Sequence, residues 1–118
     1  MTADELREFC LSLLEAGEEF PFGPETSVFK VGGKIFAISR LEAEPLGVSL
    51  KIDPVLGEQL RGSYDSVGLA YHLNKKHWVT VTFGGDAEDE LVRGLLEDSH
   101  DLVRPKRRRG RGQPEAAG

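Results

Sequence analysis

The sequence predicts an α+β domain with the element order α-β(3)-α-β(2)-α, in which a mainly antiparallel five-stranded sheet carries its helices on one face. Gly32-Gly33 separates two β-rich runs, and paired glycines in that position are typical of a two-residue hairpin turn. Helix-capping residues begin three further segments, near the start, the middle and the end of the chain. A length of 118 residues is enough for one hydrophobic core.

The first helix is predicted to begin at the N-cap Thr2, whose capping-box partner Glu5 follows three residues later, and to stop at Gly17. Cys10 is the only cysteine, so no intramolecular disulfide can form. We expect Cys10 to be a buried apolar side chain rather than a reactive thiol. The apolar stripe of this helix contains Leu6, Phe9, Cys10, Leu13 and Leu14.

The first half of the sheet is predicted to contain three strands. A loop from Glu18 to Pro24 precedes the hairpin strands Ser27–Val31 and Lys34–Arg40, and Leu46–Ile52 alternates apolar residues with small or polar ones. The turn places Val31 opposite Lys34, and this register fixes the face of each side chain. The side chains expected beneath the helices are Phe29, Phe36, Ile38, Leu46, Val48, Leu50, Ile52, Val79, Val81 and Phe83.

The second half is predicted to contain a helix, a strand pair and a last helix. Asp53-Pro54 caps a short helix that runs to about Arg61 and ends at Gly62. The polar loop Leu73–His77 joins the strands, and Asp86 with Asp89 caps the last helix, which runs to about Asp98. The two strands are Val67–His72 and Trp78–Phe83, and the apolar stripe of the last helix is Leu91, Val92, Leu95 and Leu96.

The sheet face opposite the helices is expected to be chemically mixed. We keep two interpretations open: a loop folds over this face and is pinned by Trp78, or the face binds a ligand. The second interpretation rests on lysines beside an aromatic side chain, which suit phosphate contact and base stacking. The side chains expected on this face are Val28, Lys30, Ile35, Ala37, Ser49, Lys51, Trp78, Thr80 and Thr82.

Charge is distributed unevenly along the chain. Residues 104–118 carry six basic side chains against Glu115, a net +5, so that residues 1–103 carry −10 of the total of −5. Apolar residues nearly vanish from Arg104 onward, which predicts a folded domain over 1–103 and a disordered basic tail over 104–118. An acidic N-terminus and the lack of a long apolar run indicate neither a signal peptide nor a membrane span, and we therefore expect a cytoplasmic protein.

The densest polar cluster is the segment from His72 to Trp78. Two histidines five residues apart do not supply the three or four converging ligands of a metal site, so we expect no metal and no cofactor. No nucleophile, base and orienting carboxylate occur in a recognisable pattern, which argues against an enzyme. Lys75, Lys76 and Asn74 suit a basic hairpin tip that contacts phosphates.

Several segments together resemble the MmcQ/YjbR family. Pro21–Glu25 and Val28–Lys34 with Phe36-Ala37 are similar to its opening, and Lys51–Pro54 followed by Leu60-Arg61 to its middle. Tyr71–Trp78 matches its most distinctive segment, and Ser99–Val103 its C-terminal signature. Two positions depart from the family pattern, because Ile52 replaces a frequent Cys and His100 a frequent Tyr.

The resemblance implies a CyaY-like fold and a DNA-binding protein with a double-wing arrangement of hairpins. The family positions carried over are Lys30, Lys34, Lys51, His72, Asn74, Lys76, His77 and Trp78. We therefore expect a monomeric, non-enzymatic DNA-binding protein. The alternative is a module that binds a protein or a small ligand, without nucleic acid, on the sheet face around Trp78. Beyond those family positions, the candidate phosphate contacts are Lys75 and, in the tail, Arg104, Lys106, Arg107, Arg108, Arg109 and Arg111.

Overall fold

A computed structural model describes residues 1–105, which form three helices and six strands. The predicted α+β class and element order are confirmed, with one strand more than expected. In chain order the elements are α1 (Ala3–Ser12), β1 (Gly17–Glu19), β2 (Ser27–Val31), β3 (Lys34–Ser39), β4 (Gly47–Lys51), α2 (Pro54–Ser63), β5 (Val67–Leu69), β6 (Trp78–Thr82) and α3 (Asp89–Val103).

The six strands form one antiparallel sheet in the order β1-β2-β3-β4-β6-β5. The extra strand β1 pairs with β2, with Gly17 opposite Lys30 and Glu19 opposite Val28. This segment is short and acidic, without the apolar alternation that marks a strand in sequence. Short charged strands are common at sheet edges because they discourage pairing with another chain.

The hydrophobic core lies between the three helices and one face of the sheet. Phe29, Phe36 and Leu50 from the sheet are completely buried there, together with Leu6 of α1 and Leu96 of α3. Helix α2 contributes Leu60, which is also buried. The prediction that all helices cover one sheet face is therefore confirmed.

A β-bulge between β2 and β3 corrects the predicted faces of two residues. Lys30 pairs with Ile35, but Phe29 pairs with Ala37, so that Phe36 is the extra residue. Past the bulge, Ala37 joins the core and Ile38 moves to the face opposite the helices, the reverse of the prediction. The reason is that an inserted residue changes the parity of every later position in the strand.

Helix α1 ends at Ser12, well before the predicted stop at Gly17. The Ser12 hydroxyl donates to the Phe9 carbonyl at 2.6 Å, and Leu13 has an extended backbone. Leu14 consequently leaves the apolar stripe and is 63% exposed. The chain then turns through Glu15, whose φ is +60°, and enters β1 at Gly17.

The boundaries of α2 and α3 also differ from the prediction. Helix α2 passes through Gly62, the expected stop, and helix α3 continues beyond Asp98 to Val103. Ser99, His100 and Val103 are buried, so they extend the buried stripe of α3. Asp86 does not cap α3, and Glu88 occupies the N-cap without a side-chain hydrogen bond.

Asp86 instead fixes the turn that precedes β5. Its carboxylate accepts from the Asp65 amide at 2.9 Å, the Ser66 amide at 3.0 Å and the Ser66 hydroxyl at 2.7 Å. Strand β5 itself stops at Leu69, short of the predicted His72. The residues between Leu69 and β6 therefore form a longer connection than the sequence indicated.

Within residues 1–105, no helix is long and apolar enough to cross a membrane. The predicted basic tail spans 104–118, and from Lys106 onward it lies outside the described residues.

Candidate functional site

Two hairpin connections project from the same end of the sheet. Strand β2 runs towards Gly32-Gly33, and β4 runs in the same direction and ends at Lys51. Lys51 pairs with Trp78, so β6 starts where β4 ends, and the connection 70–77 between β5 and β6 lies at this end as well. We call this region, which comprises Gly32, Gly33, Lys51, residues 70–77 and Trp78, the tip end.

The lysines of the domain are concentrated at or beside the tip end. Residues 1–105 contain five lysines, and each belongs to the tip end or adjoins it: Lys30, Lys34, Lys51, Lys75 and Lys76. Lys30 Nζ lies 3.1 Å from Glu19 Oε1. The other four form no ion pair with a carboxylate among residues 1–105. Four of the five predicted lysine contacts among residues 1–105 are therefore available to a ligand.

The strand register brings Lys51 and Trp78 together on the face opposite the helices. They occupy paired positions, where Cβ atoms are typically about 5 Å apart, and both are half-buried. Lys30 and Ile35 form the equivalent pair on β2 and β3, one residue nearer the tip end than Phe29. Lys30, Lys51 and Trp78 therefore lie on the same sheet face, as predicted from strand parity, with Lys51 directly opposite Trp78.

Acidic side chains occupy the helix side of the tip end. Asp53, Asp98 and Asp101 surround a shallow pocket together with Ile52 and Leu56. Lys30 and Lys51 on the open face are therefore separated by the sheet from these carboxylates, whereas Lys34 pairs with the core residue Val31 and lies on the helix-side face. A polyanion would meet the lysine side without crossing the acidic one.

The connection 70–77 contains a turn held by Asn74. Its side-chain oxygen accepts from the Lys76 amide at 2.9 Å, and its carbonyl accepts from the His77 amide at 3.1 Å. Lys75 Nζ lies 5.9 Å from the centre of the Tyr71 ring, within the range of a cation–π contact. Asn74, predicted as a phosphate contact, thus has a structural role in presenting Lys75 and Lys76.

His72 and His77 are exposed, and neither side chain is hydrogen-bonded to a carboxylate among residues 1–105. The described part of the chain also contains no group of three or more potential metal ligands. His77 contributes through its backbone, because its carbonyl accepts from the Ile52 amide at 2.8 Å and holds the end of β4.

The C-terminal tail starts beside the first hairpin turn. Pro105 packs so closely on Gly32 that a Cβ atom at position 32 would lie 2.4 Å from its ring. Arg104, a predicted phosphate contact, pairs with Asp101 at 2.9 Å. The other predicted tail contacts lie outside the described residues: Lys106, Arg107, Arg108, Arg109 and Arg111.

A cavity of about 520 Å³ lies on the face opposite the helices. Its floor contains Ile38, Ser49 and Thr80 from three adjacent strands, whose register pairs Ile38 with Ser49 and Ser49 with Thr80. Phe22 and Tyr71, on the two loops that border this face, line it as well. The prediction that a loop folds over this face therefore holds in part, although Trp78 is outside the cavity lining.

The cavity was not apparent in the sequence as a site. Arg40 and Ala43 belong to the connection between β3 and β4, and His72 to the connection between β5 and β6, yet all three line the same space. The bulge turns Ile38 to this face, and it cannot be recognised in the sequence because residues 35–38 are all apolar. Of these residues, only His72 was a candidate from sequence.

The single thiol lies away from both surfaces. Cys10 is completely buried in the core, as expected, and burial together with the nearby charge of Glu18 raises the pKa of its thiol to about 12. Glu18 is itself held by Arg7 and by the Ser27 hydroxyl, each at 2.7 Å. Cys10 is therefore a structural residue.

The chain was compared with known proteins. The family model YjbR matches residues 11–102. The uncharacterised protein YbdF of Escherichia coli O157:H7 is 46% identical over 88 residues, which cover 71% of this chain and 69% of that protein. The uncharacterised protein YjbR of Escherichia coli K12 is 34% identical over 101 residues, covering 85% of each chain.

Solved structures share the fold. A crystal structure of a Deinococcus radiodurans protein with the DUF419 domain has a TM-score of 0.81 and 47% identity, covering 86% of this chain and 78% of that one. A Pseudomonas syringae protein at 24% identity has a TM-score of 0.76 over 88% of this chain and 100% of its own. The family match, the two Escherichia coli relatives and the common fold agree with the sequence resemblance: this chain belongs to the YjbR family.

Proposed function

We propose that this protein is a monomeric, non-enzymatic DNA-binding protein of the cytoplasm that contacts phosphates through the tip end and through its basic tail. The observation that carries the proposal is the segregation of charge. Residues 1–103 have a net charge of −10, yet every lysine among them lies at or beside the tip end. Such a separation lets an acidic domain present one cationic surface to a polyanion.

Single-stranded DNA fits this surface better than duplex DNA does. Proteins that bind single strands combine lysines or arginines along the backbone with aromatic side chains on which bases stack. The cross-strand pair Lys51 and Trp78 places these two groups side by side, and Lys30 lies in the equivalent position on β2. Lys75 and Lys76 extend the cationic surface into the connection 70–77.

The tail supports the same proposal because of where it begins. Pro105 rests on Gly32, so the last described residue lies at the tip end, and the basic residues follow it in the sequence. Domain and tail could therefore contact neighbouring phosphates of one strand. When one of two cationic elements binds a strand, it raises the effective concentration of that strand at the second element.

A binding role rather than catalysis is supported by the histidines. His72 and His77 have the residue type of a general base, but within residues 1–105 no carboxylate orients either ring. Lysines that form no internal ion pair suit reversible phosphate contact.

The test uses fluorescence anisotropy of the full-length protein with a labelled oligothymidine of about 15 nucleotides and with a duplex of equal length, at about 50 and 200 mM salt. We expect tighter binding of the single strand and a loss of affinity at the higher salt. The double substitution Lys75→Gln with Lys76→Gln should reduce the slope of log K against log salt by about 1.4, since each phosphate contact contributes about 0.7.

The matched control is Arg61→Gln with Arg93→Gln, which removes the same charge from α2 and α3 and should leave the salt slope nearly unchanged. A second variant neutralises the tail within the full chain and should also weaken binding. The proposal for the domain fails if both double variants lose the same affinity, or if all binding disappears with the tail. The tail variant replaces by glutamine the residues Lys106, Arg107, Arg108, Arg109 and Arg111.

A further inference from the structure

We infer that the cavity on the open sheet face is a binding site for a small organic anion with an apolar body. Its volume of about 520 Å³ lies within the range of small-molecule sites, about 300–1,000 Å³. The cavity shares residues 70–73 with the tip end, but its floor lies elsewhere on the sheet, and the inference does not depend on DNA binding. It identifies a second surface that uses other residues of the same sheet.

The apolar part of the cavity selects the body of the ligand. Phe22, Tyr71 and Leu73 contribute from the loops, and Ile38 contributes from the floor. Phe22 is 65% exposed and Tyr71 72% exposed, although both rings lie at the cavity. Exposed aromatic rings around a concave space would lose water contact when a flat apolar group enters.

The charged side chains at the cavity favour a negatively charged ligand. Arg40 and His72 are in the lining, which contains no Asp or Glu. Among residues 1–105 the Arg40 guanidinium forms no ion pair, so its fork of donors is available for a carboxylate or a sulfonate. A cation without an internal partner beside an apolar space favours an anionic group on an apolar body.

The floor offers one further polar contact. The hydroxyl oxygens of Ser49 and Thr80 are 2.7 Å apart, so one of them donates to the other. That bond uses one of the two hydroxyl protons, and the other proton can be donated to an acceptor atom of the ligand. Gly47 also lines the cavity and has no side chain to fill it. A Cβ atom at this position would lie only 3.1 Å from the Val81 carbonyl oxygen.

The experiment compares two fluorescent probes of nearly equal shape on the full-length protein. 8-Anilino-1-naphthalenesulfonate carries an anionic group, and N-phenyl-1-naphthylamine has the same aromatic body without it. We expect saturable binding of the sulfonate at one site, about tenfold tighter than the neutral probe, because charge-assisted hydrogen bonds add to the apolar contact.

Two variants locate the site. Arg40→Gln should weaken the sulfonate about tenfold and leave the neutral probe unchanged, whereas the control Arg93→Gln on α3 should affect neither. Ala43→Phe, which fills the cavity from its edge, should weaken both probes. Chemical shifts in two-dimensional NMR spectra should confirm that each variant is folded and that the sulfonate perturbs Ile38, Ser49 and Thr80.

The inference is overturned if the two probes bind equally, if Arg40→Gln behaves like Arg93→Gln, or if probe binding survives Ala43→Phe in a folded protein. Failure here is distinguishable from failure of the proposed function. Lys34→Gln with Lys51→Gln, at or beside the tip end and outside the cavity lining, should weaken the oligonucleotide and not the sulfonate, while Ala43→Phe should do the opposite.

Discussion

The hydroxyl of Ser99 in α3 donates to the backbone carbonyl of Phe36 in β3 at 2.6 Å, and it accepts from the backbone amide of Lys51 in β4 at 2.9 Å. The regular pairing of β3 with β4 covers Ala37 opposite Leu50 and Ile38 opposite Ser49, and it stops before Phe36. Ser99 therefore bridges β3 and β4 at the point where their ladder ends, and its side chain is completely buried.

Removing the Ser99 hydroxyl should destabilise the folded protein. We expect Ser99→Ala to lower the free energy of unfolding by about 2–3 kcal/mol, because it leaves a buried carbonyl and a buried amide without their partner. Urea denaturation followed by circular dichroism measures the change. The control Ser63→Ala, at an exposed position of α2, should stay within about 0.5 kcal/mol. Equal effects of the two substitutions would refute the bridging role.

The contact between Gly32 and Pro105 can be separated from the geometry of the turn. Gly32 and Gly33 have φ values of +59° and +80°, so alanine at either position should cost about 1–2 kcal/mol in stability. Only at position 32 would the new methyl group meet Pro105, since the space beside Gly33 is open. Gly32→Ala should therefore shift the NMR signals of Val103 and Arg104, and Gly33→Ala should not. Similar shifts in both variants would contradict the contact.

The Cys10 thiol should be unreactive in the folded protein. Its pKa of about 12 leaves about one thiolate in 10⁴ molecules at pH 8, and the side chain is also completely buried. A disulfide reagent that reports thiolates by absorbance should label the native protein only at the rate of unfolding, and the urea-unfolded protein within seconds. Rapid labelling of the native protein would show that Cys10 is accessible.

Asp86 should contribute to the pH dependence of stability. Hydrogen bonds from the Ser66 hydroxyl and from the Ser66 and Asp65 amides lower the pKa of its carboxyl from 3.8 to about 2. A carboxyl with a lowered pKa in the folded state stabilises the fold above its unfolded pKa, and this contribution is lost as the pH falls from about 4 to 2.

The substitution Asp86→Asn tests the direction of this pH dependence of stability. The melting temperature of the variant should lie below that of the natural protein at pH 6, and the difference should shrink on acidification to pH 2. The comparison is Asp53→Asn, which replaces an exposed carboxylate that caps α2 and makes no contact with the turn before β5. A difference between natural protein and Asp86→Asn that is constant from pH 6 to pH 2 would contradict the role of Asp86.

The elements with strong local signals were predictable from the sequence. The capping box of Thr2 and Glu5, the Asp53-Pro54 start of α2 and the Gly32-Gly33 turn are all present in the structure. In each case neighbouring residues decide the local conformation. The order of elements followed from these local signals, and the family resemblance agreed with it and led to the family that the comparisons then identified.

Features that depend on distant contacts were not predictable. Residues 35–38 are apolar on both faces, so the sequence pattern cannot select the register that the bulge imposes. The polar strand β1 forms only because β2 presents a free edge, and Asp86 finds donors in Ser66, twenty positions earlier. For the same reason the cavity, which joins Arg40 to His72 across the sheet, could be found only in the structure.

The central claim is that the tip end of the folded domain binds the DNA strand. An NMR titration of isotope-labelled full-length protein with oligothymidine tests it most directly, because every described amide reports its own contact. Binding at the tip end should shift the signals of Gly33, Lys51, Lys76 and the indole of Trp78, and none in α1. Shifts limited to residues 106–118, or no shifts at low salt, would contradict it.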